Sequence, residues 1–522
     1  MGASYPSIFN DVIGPVMRGP SSSHCAAAVR IGRLARDLMG GRIEHVRVEF
    51  DAKGSLAYTH AGQGSDMGLF GGLLGWDAQD ERLLDSAAAL ARAGIRIELH
   101  IGEYHDAHPN TYRLTLSNSG ETHRVIALST GGGMVEVVEI DGVPLSIKGD
   151  YVETLVAVDG VDMAMHETLK HAVAAEEVLL HTGTDKTLIE IRSREALPEP
   201  VRARLASRKG VAWVRTLAPV LPVLSRRGLQ VPFVTGAQML DWNRDRRLDL
   251  AGLAAAYESA RGGIPESEVE DRMQAIVGLL RQSIAQGIAG TRFADRILGA
   301  QSAGFKAAMD KGALLEAGML NAMILYVTAL MEVKSAMGVI VAAPTAGSCG
   351  GLPGAVIAAA DAMERSQADM ARALLAAGMI GVFISVRSTF AAEVCGCLAE
   401  CGSGSGMAAA ALVTLAGGSA RQAVDAASMA IQNVLGLICD PVANRVEVPC
   451  LGRNVLAASN ALACANMALA GCDAVIPLDE VIETMDRVGR SLPMELRCTT
   501  LGGLSVTPTS KAIEKKLSSH PA

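Results

Sequence analysis

The chain has 522 residues, of which 49% are hydrophobic and 20% charged, with a net charge of −8. That composition buries a large core in two to four domains and excludes a disordered chain, which needs more charge and fewer apolar residues. With 47 basic against 55 acidic residues and no basic stripe, a nucleic-acid partner is not expected. Aromatic residues are only 3%, so Ala, Leu, Val and Met supply the apolar content, the usual filling of closely packed helices.

The opening residues lack a charged stretch followed by an apolar one, so no signal peptide is expected. Pro6 stands where an N-myristoylation site carries Ser or Thr. Residues 26–39, AAAVRIGRLARDLM, repeat Ala27, Ile31, Leu34, Ala35 and Leu38 at helical spacing. HVRVEFDA (45–52) and IRIELHIG (95–102) alternate with period two and predict half-buried strands. Residues 1–151 therefore read as an α+β domain. Residues 152–222 form a smaller α/β unit: TLVAVDG, KTLIEIRS and VAWVRTLAPV are predicted strands, with helical segments after the first two. From 226 to 522 helical patterns follow one another, broken by Gly-rich stretches at 346–354 and 402–406. The apolar stretch 312–332 carries Glu316, Asn321 and Glu332, and 376–386 falls short of the roughly 20 residues a spanning helix needs. Both predict buried core helices in a soluble, cytoplasmic protein with no membrane partner.

In a cytoplasmic chain, cysteine more often means metal binding or catalysis than disulfides. Nine of the ten Cys lie from 349 onward, and only Cys25 precedes them. Cys464 and Cys472 sit in an Ala-rich stretch and read as small buried apolar residues. Cys397, Cys439 and Cys450 fall at loop-like breaks, EVCGCLAECGSGSG, LICDPVANR and VEVPCLGRN, with Pro441 and Pro449 close by. Paired Cys-x2-Cys zinc knuckles are absent from the sequence, and dispersed loop cysteines suit an iron–sulfur cluster.

These segments carry a resemblance. GPSSSH (19–24), GSLAYTH…GSD (54–66), HPNTYR (108–113) and STGGGMVEV (129–137) resemble the β-type domain of the iron–sulfur L-serine dehydratases. APTAGSCGGLPG (343–354), AEVCGCLAECGSGSGMAAAA (392–411), CDPVANRVEVPC (439–450) and RNVLAASNA (453–461) resemble their α-type domain, in the same order. The resemblance implies a single-chain lyase that converts L-serine to pyruvate and ammonia in amino-acid catabolism and gluconeogenesis. It would carry a [4Fe-4S] cluster and no pyridoxal phosphate, act on a small molecule and form a homodimer. It implies Cys397, Cys439 and Cys450 as metal ligands, leaving one iron open as a Lewis acid for the β-hydroxyl. Cys349, Cys395 and Cys401 are then neighbours of the site or packing residues. Cys498 is left without the ligand role that a C-terminal Cys takes in some members, because it does not end this chain. Residues 152–222 resemble an ACT-like insert, a module for amino-acid sensing or metal binding; a structural spacer or dimer surface reads equally well.

Ser21, Ser22, Ser23 and His24 provide hydroxyls and N–H groups at a predicted helix start, an anion site for a substrate carboxylate; plain N-capping needs only one of the serines. Thr345 and Ser348 are candidate donors in a second substrate loop, which also reads as an ordinary helix start. His108 is the first choice for acid/base work. Gln63 occupies the position of a second family His, so His60, three residues earlier, is the other catalytic candidate. Asn444 stands where the family usually has Gly. His166, His171 and His520 read as surface or core residues. The Gln63 departure leaves open a related dehydratase of another β-hydroxy acid, such as a 2-(hydroxymethyl)glutarate-type substrate. A pyridoxal-phosphate lyase is a further alternative, because CGSGSGM (401–407) can cradle a phosphate; however, that fold requires alternating βα units and a Schiff-base Lys. An amino-acid sensor built on the small domain is the non-enzymatic alternative.

Overall fold

A computed structural model describes residues 5–160 and 163–518; His520 lies outside the described residues. The chain is mixed α/β with a helical C-terminal half.

The first sheet has six strands in the spatial order Arg96–Gly102, His45–Asp51, Thr111–Ser117, Thr122–Gly131, Met134–Ile140 and Val143–Ile147. Only the first two neighbours are parallel, and the rest form antiparallel ladders. Val46, Val48 and Phe50 alternate inward, as the sequence pattern requires, and bury against the helix Ala27–Leu38. That helix presents Ile31, Leu34 and Leu38 at helical spacing to the sheet. Its other side crosses the helix Ser65–Leu73 at glycines: a Cβ on Gly32 would lie 2.6 Å from the Leu69 carbonyl oxygen. The helix is preceded by a π-helical turn, Ser22–Ala26, which carries Ser22, Ser23 and His24 of GPSSSH, with Ser21 extended just before it. π-turns are uncommon and often mark functional positions.

The second sheet has the order Val211–Leu217, Val152–Val158, Thr187–Ser193 and Glu177–Thr182, with every neighbouring pair antiparallel. Helices Met163–Ala172 and Glu199–Ala206 complete a β-α-β-β-α-β order. Strand Glu177–Thr182 is a fourth strand beyond the three that the sequence pattern predicts for this unit. Val156, Ile189 and Ile191 face the two helices, while Leu155, Ala157, Leu188 and Leu217 face the first domain. The central strand is therefore buried on both faces, which is why VETLVAV is apolar without a clean alternation.

The helical half is built around Gln367–Arg387, Cys401–Leu415, Ala420–Gln432 and Cys450–Leu469. Gln367–Arg387 is long and apolar enough to cross a membrane, but 78% of its apolar window is buried inside this half. The first described residues belong to this core rather than to the first sheet. Ile8 and Val12 fill the spaces above Gly378 and Gly381, and Val16–Met17 pairs with Ile340–Val341. Ser7 and Ile8 are tied to the buried Glu258 by hydrogen bonds of 2.5 and 2.8 Å to its carboxylate.

Candidate active site

Five thiols gather where the helical half faces the first domain. Cys397 sits in the one-turn segment Gly396–Leu398, and Cys401 begins the helix Cys401–Leu415. Cys450 begins the helix Cys450–Leu469, and Cys439 lies in the loop between them. Cys397, Cys401, Cys439 and Cys498 share one packed cluster with Ala392 and Ala457. The Cys397 thiol faces that of Cys401, Cys439 faces Cys498, and Cys450 is close enough to feel the charge of Cys397. All five are buried and free of disulfides. The Cys397 contact raises the Cys401 thiol, the Cys498 contact raises the Cys439 thiol and burial raises the Cys450 thiol, each well above the ordinary range.

The backbone explains the presence of Cys498, whose place beside Cys439 the sequence reading did not anticipate. The Cys439 N–H donates to the Leu496 carbonyl at 2.8 Å, and the Cys498 N–H donates back to the Cys439 carbonyl at 3.0 Å. This short parallel bridge brings the C-terminal segment alongside the CDP loop. The other cysteines separate from the group. Cys349 Sγ rests on Met331 Sδ at 3.8 Å, and Cys395 packs against Gly489. Cys464 is buried, as expected, and so is Cys25. Cys472 lies beyond the helix end at Leu469 and is exposed, so it is not a packing residue.

Two basic side chains face the thiol pocket. Arg453 donates to Asp440 Oδ1 at 2.7 Å and lies by Cys397 and Cys450. The Cys401 thiol first, and then Arg453, hold Cys397 below the usual thiol range against the effect of burial. Lys334 is fully buried; its ammonium donates to the Val446 carbonyl and faces Cys450, Cys349 and Glu400. Glu400, the acid of GC-x-x-E, is pushed up to about 8 by burial and by the neighbouring Cys397. It accepts a 2.6 Å hydrogen bond from Thr345 Oγ1.

Thr345 and Ser348 form a tight hydroxyl pair 3.1 Å apart. Ser22 Oγ accepts from the Ala346 N–H at 3.2 Å, so the structure brings the GPSSSH and PTAGSCGG loops together. The Ser23 carbonyl accepts from Ser129 Oγ at 2.7 Å, which adds the STGGG strand. Asn454 fixes the second loop. Its Oδ1 accepts from the Gly350 and Gly351 N–H groups at 3.1 and 2.8 Å, and its Nδ2 donates to the Gly347 carbonyl at 2.9 Å.

His24 is completely buried between Ser21 Oγ (2.9 Å from Nδ1) and Thr59 Oγ1 (2.7 Å from Nε2). Thr59 Oγ1 spends its own proton on the Ser55 carbonyl, so it accepts from Nε2–H, and Nδ1 accepts from Ser21. Burial, and secondarily His60, lowers the His24 pKa to about 3. His24 is therefore neutral, and the 3.5 Å approach of Glu393 Oε1 to Nδ1 is not an ion pair. His60 holds Asp66 at 2.8 Å and its ring rests on Phe50. His108 is half-buried, its Nδ1 accepts from the Asn110 N–H at 3.2 Å, and burial lowers its pKa. Among the described residues no hydrogen bond joins His108 or His60 to the thiols or to the Thr345 loop. His166 contacts the Val178 carbonyl inside the small domain, far from these loops in sequence and sheet.

The two departures from the family pattern meet. Gln63 Nε2 donates to Asn444 Oδ1 at 3.1 Å and lies 3.4 Å from Cys498 Sγ. Asn444 has φ 55°, a left-handed conformation suited to Gly that Asn tolerates. Sequence reasoning missed Glu393, Asn110, Lys334 and Asn454. All but Lys334 lie inside the quoted motifs, but nothing in their spacing distinguishes them from packing residues.

The donor set suits an iron–sulfur cluster: buried, unpaired thiols with no oxygen-rich cage. Among the described residues no three His, Cys, Asp or Glu side chains converge as a single metal ion requires. A four-iron cluster does not need that convergence, because each thiolate binds its own iron.

Comparison with known proteins gives a consistent result. The family model described as serine dehydratase alpha chain matches residues 193–505. A Bacillus subtilis protein named probable L-serine dehydratase, alpha chain, is 35% identical over 54% of this chain and 93% of its own length. The probable beta chain of the same organism is 42% identical over 29% of this chain and 68% of its own length. A Streptomyces coelicolor L-serine dehydratase is 30% identical over 82% of this chain and 91% of its own length.

Proposed function

Because the chain belongs to the iron–sulfur L-serine dehydratase family, we propose that it is a lyase converting L-serine to pyruvate and ammonia at the thiol pocket. The observation that carries this reading is the burial of Cys397, Cys439 and Cys450 together, opposite the hydroxyl loops of Ser22, Thr345 and Ser348.

In this reading Cys397, Cys439 and Cys450 hold a [4Fe-4S] cluster, which when bound supplies a Lewis acid for the departing β-hydroxyl. Lys334 and Arg453 offset the negative charge of the thiolates. Hydroxyls of the Ser21–Ser23 turn and of Thr345 and Ser348, with nearby backbone N–H groups, bind the substrate carboxylate. His24 cannot serve as a cation, and its neutral imidazole fixes the Ser21 hydroxyl. His108, kept neutral by burial, accepts the α-proton, with His60 the other candidate. Loss of the α-proton and of hydroxide gives water and aminoacrylate. Tautomerisation to the imine and hydrolysis then give pyruvate and ammonia. Homodimeric assembly and a cytoplasmic location belong to the same proposal.

The test is anaerobic purification with iron and sulfide analysis and a pyruvate assay on L-serine. A brown protein that makes pyruvate, and loses colour and activity in Cys397→Ala, is the expected result. A colourless, air-stable, active protein refutes it.

A further inference from the structure

Three buried polar atoms near the thiols have no partner. Glu393 lies on the short helix Ala392–Cys395, one turn before Cys397, and its residue is 5% exposed. Its Oε1 is 3.5 Å from Nδ1 of the neutral His24, and its Oε2 makes no hydrogen bond. Asn110 comes from the opposite domain, just ahead of the strand Thr111–Ser117, and is 0% exposed. Burial raises the Glu393 carboxyl and the facing Asn110 amide works against it, too far away for a well-formed hydrogen bond, and neither Asn110 Oδ1 nor Nδ2 has another partner. Folded proteins rarely leave such groups unmet, because each loses its water without replacement. Here they converge from two domains beside His24 and the Cys397 turn. A carboxylate oxygen, an amide acceptor and an amide donor together match a group that carries an ammonium next to a carboxylate.

Resting on the reading of this pocket as a dehydratase site, we propose that Glu393 binds the substrate α-ammonium. Asn110 bridges the two charged groups, accepting from the ammonium through Oδ1 and donating to the carboxylate through Nδ2. The pair makes the site selective for β-hydroxy-α-amino acids. A hydroxy acid of the same shape brings no cation, and Glu393 then stays buried and unpaired, a strong basis for rejection. This separates serine-type substrates from the hydroxy-diacid alternative through named atoms.

The experiment uses the anaerobically purified, cluster-loaded protein with L-serine and L-glycerate, which replaces the amine by a hydroxyl. Binding of each is measured by calorimetry and turnover by pyruvate formation. The wild type is expected to bind L-serine on the order of 100-fold more tightly than L-glycerate, as loss of one partner from a buried charge pair implies. In Glu393→Gln the serine KM should rise by a similar factor while glycerate binding changes little, so the discrimination collapses with the cluster absorption intact. Asn110→Ala should weaken both ligands, since both carry the carboxylate. Unchanged serine KM and discrimination in Glu393→Gln overturn the proposal. If that variant fails to fold, equal binding of the two ligands by the wild type overturns it and the expected preference supports it. A Glu393-dependent preference for L-serine without pyruvate formation removes the reaction assignment and leaves the recognition standing.

Discussion

Asn454→Ala removes a single amide that holds a whole loop. Asn454 is 0% exposed and sits in the first turn of the helix Cys450–Leu469. Its Oδ1 serves the Gly350 and Gly351 N–H groups at the start of the helix Gly351–Ala362, which has no other side-chain cap. Its Nδ2 serves the Gly347 carbonyl. The Cys450 carbonyl also loses a donor, but it keeps its helical partner. Alanine thus strands two donors and one acceptor in a dry interior. At about 1–3 kcal/mol for each buried group left unpaired, the sum is roughly 3–9 kcal/mol, and loop relaxation and trapped water place the expected loss near ~4 kcal/mol. Urea denaturation of the iron-free protein, followed by far-ultraviolet circular dichroism, measures the loss. Hydrogen exchange at Gly350 and Gly351 locates it. The Thr345–Ser348 pair should loosen as well, since Gly347, Gly350 and Gly351 beside it are held to the Cys450 helix through Asn454. A variant within about 1 kcal/mol of wild type, with protected Gly350 and Gly351 amides, refutes this account of the loop.

Gly381→Ala places a Cβ 2.1 Å from Val12 Cγ1, and overpacking of that kind costs about 1–3 kcal/mol. Adding Val12→Ala should restore much of the loss, as measured by thermal unfolding; an additive double variant refutes the contact. His24 is depressed to about 3 from an ordinary 6.5, so its contribution to stability is fully present above pH 6.5 and is lost as pH falls. Between pH 7 and 5.5 it should remove about 1 kcal/mol of stability, and His24→Gln should lack that component; identical pH slopes refute it. Cys472→Ala, at an exposed site past a helix end, should keep iron content and stability, whereas Cys439→Ala and Cys450→Ala should each lose bound iron. Equal iron in all three overturns the assignment of the pocket.

Short-range patterns carried the first domain. The helix at 27–38 and the strands at 45–51 and 96–102 follow from one buried face each, and the sequence displays a one-sided surface directly. Strand Glu177–Thr182 escaped notice because its VLL core continues the apolar Ala-rich run of the preceding helix, and a short apolar run has no period of its own. In the site, Cys397 was legible as a cysteine at a Gly-rich break, and Cys439 and Cys450 as cysteines beside proline. Glu393, Asn110 and Cys498 acquire meaning only through partners far along the chain, and no local pattern encodes those distances. Gln63 and Asn444 were visible as separate oddities; only the fold shows that they touch. The placement of residues 8–17 in the helical core is likewise a long-range fact, fixed by Gly378, Gly381 and the short pairing with Ile340–Val341.

The backbone bridge between Cys439 and residues 496–498 has a consequence for biosynthesis. The same tail secures the loop again farther on: the Leu504 N–H donates to Asp440 Oδ2, Ser505 Oγ donates to the Pro441 carbonyl, and the Ala443 N–H donates to Ser510 Oγ. A ribosome that has released every thiol through Cys450 has not yet made the strand that holds Cys439 in position. Residues 496–510 must follow before the pocket has its last wall, so any metal delivered earlier in synthesis meets an open site.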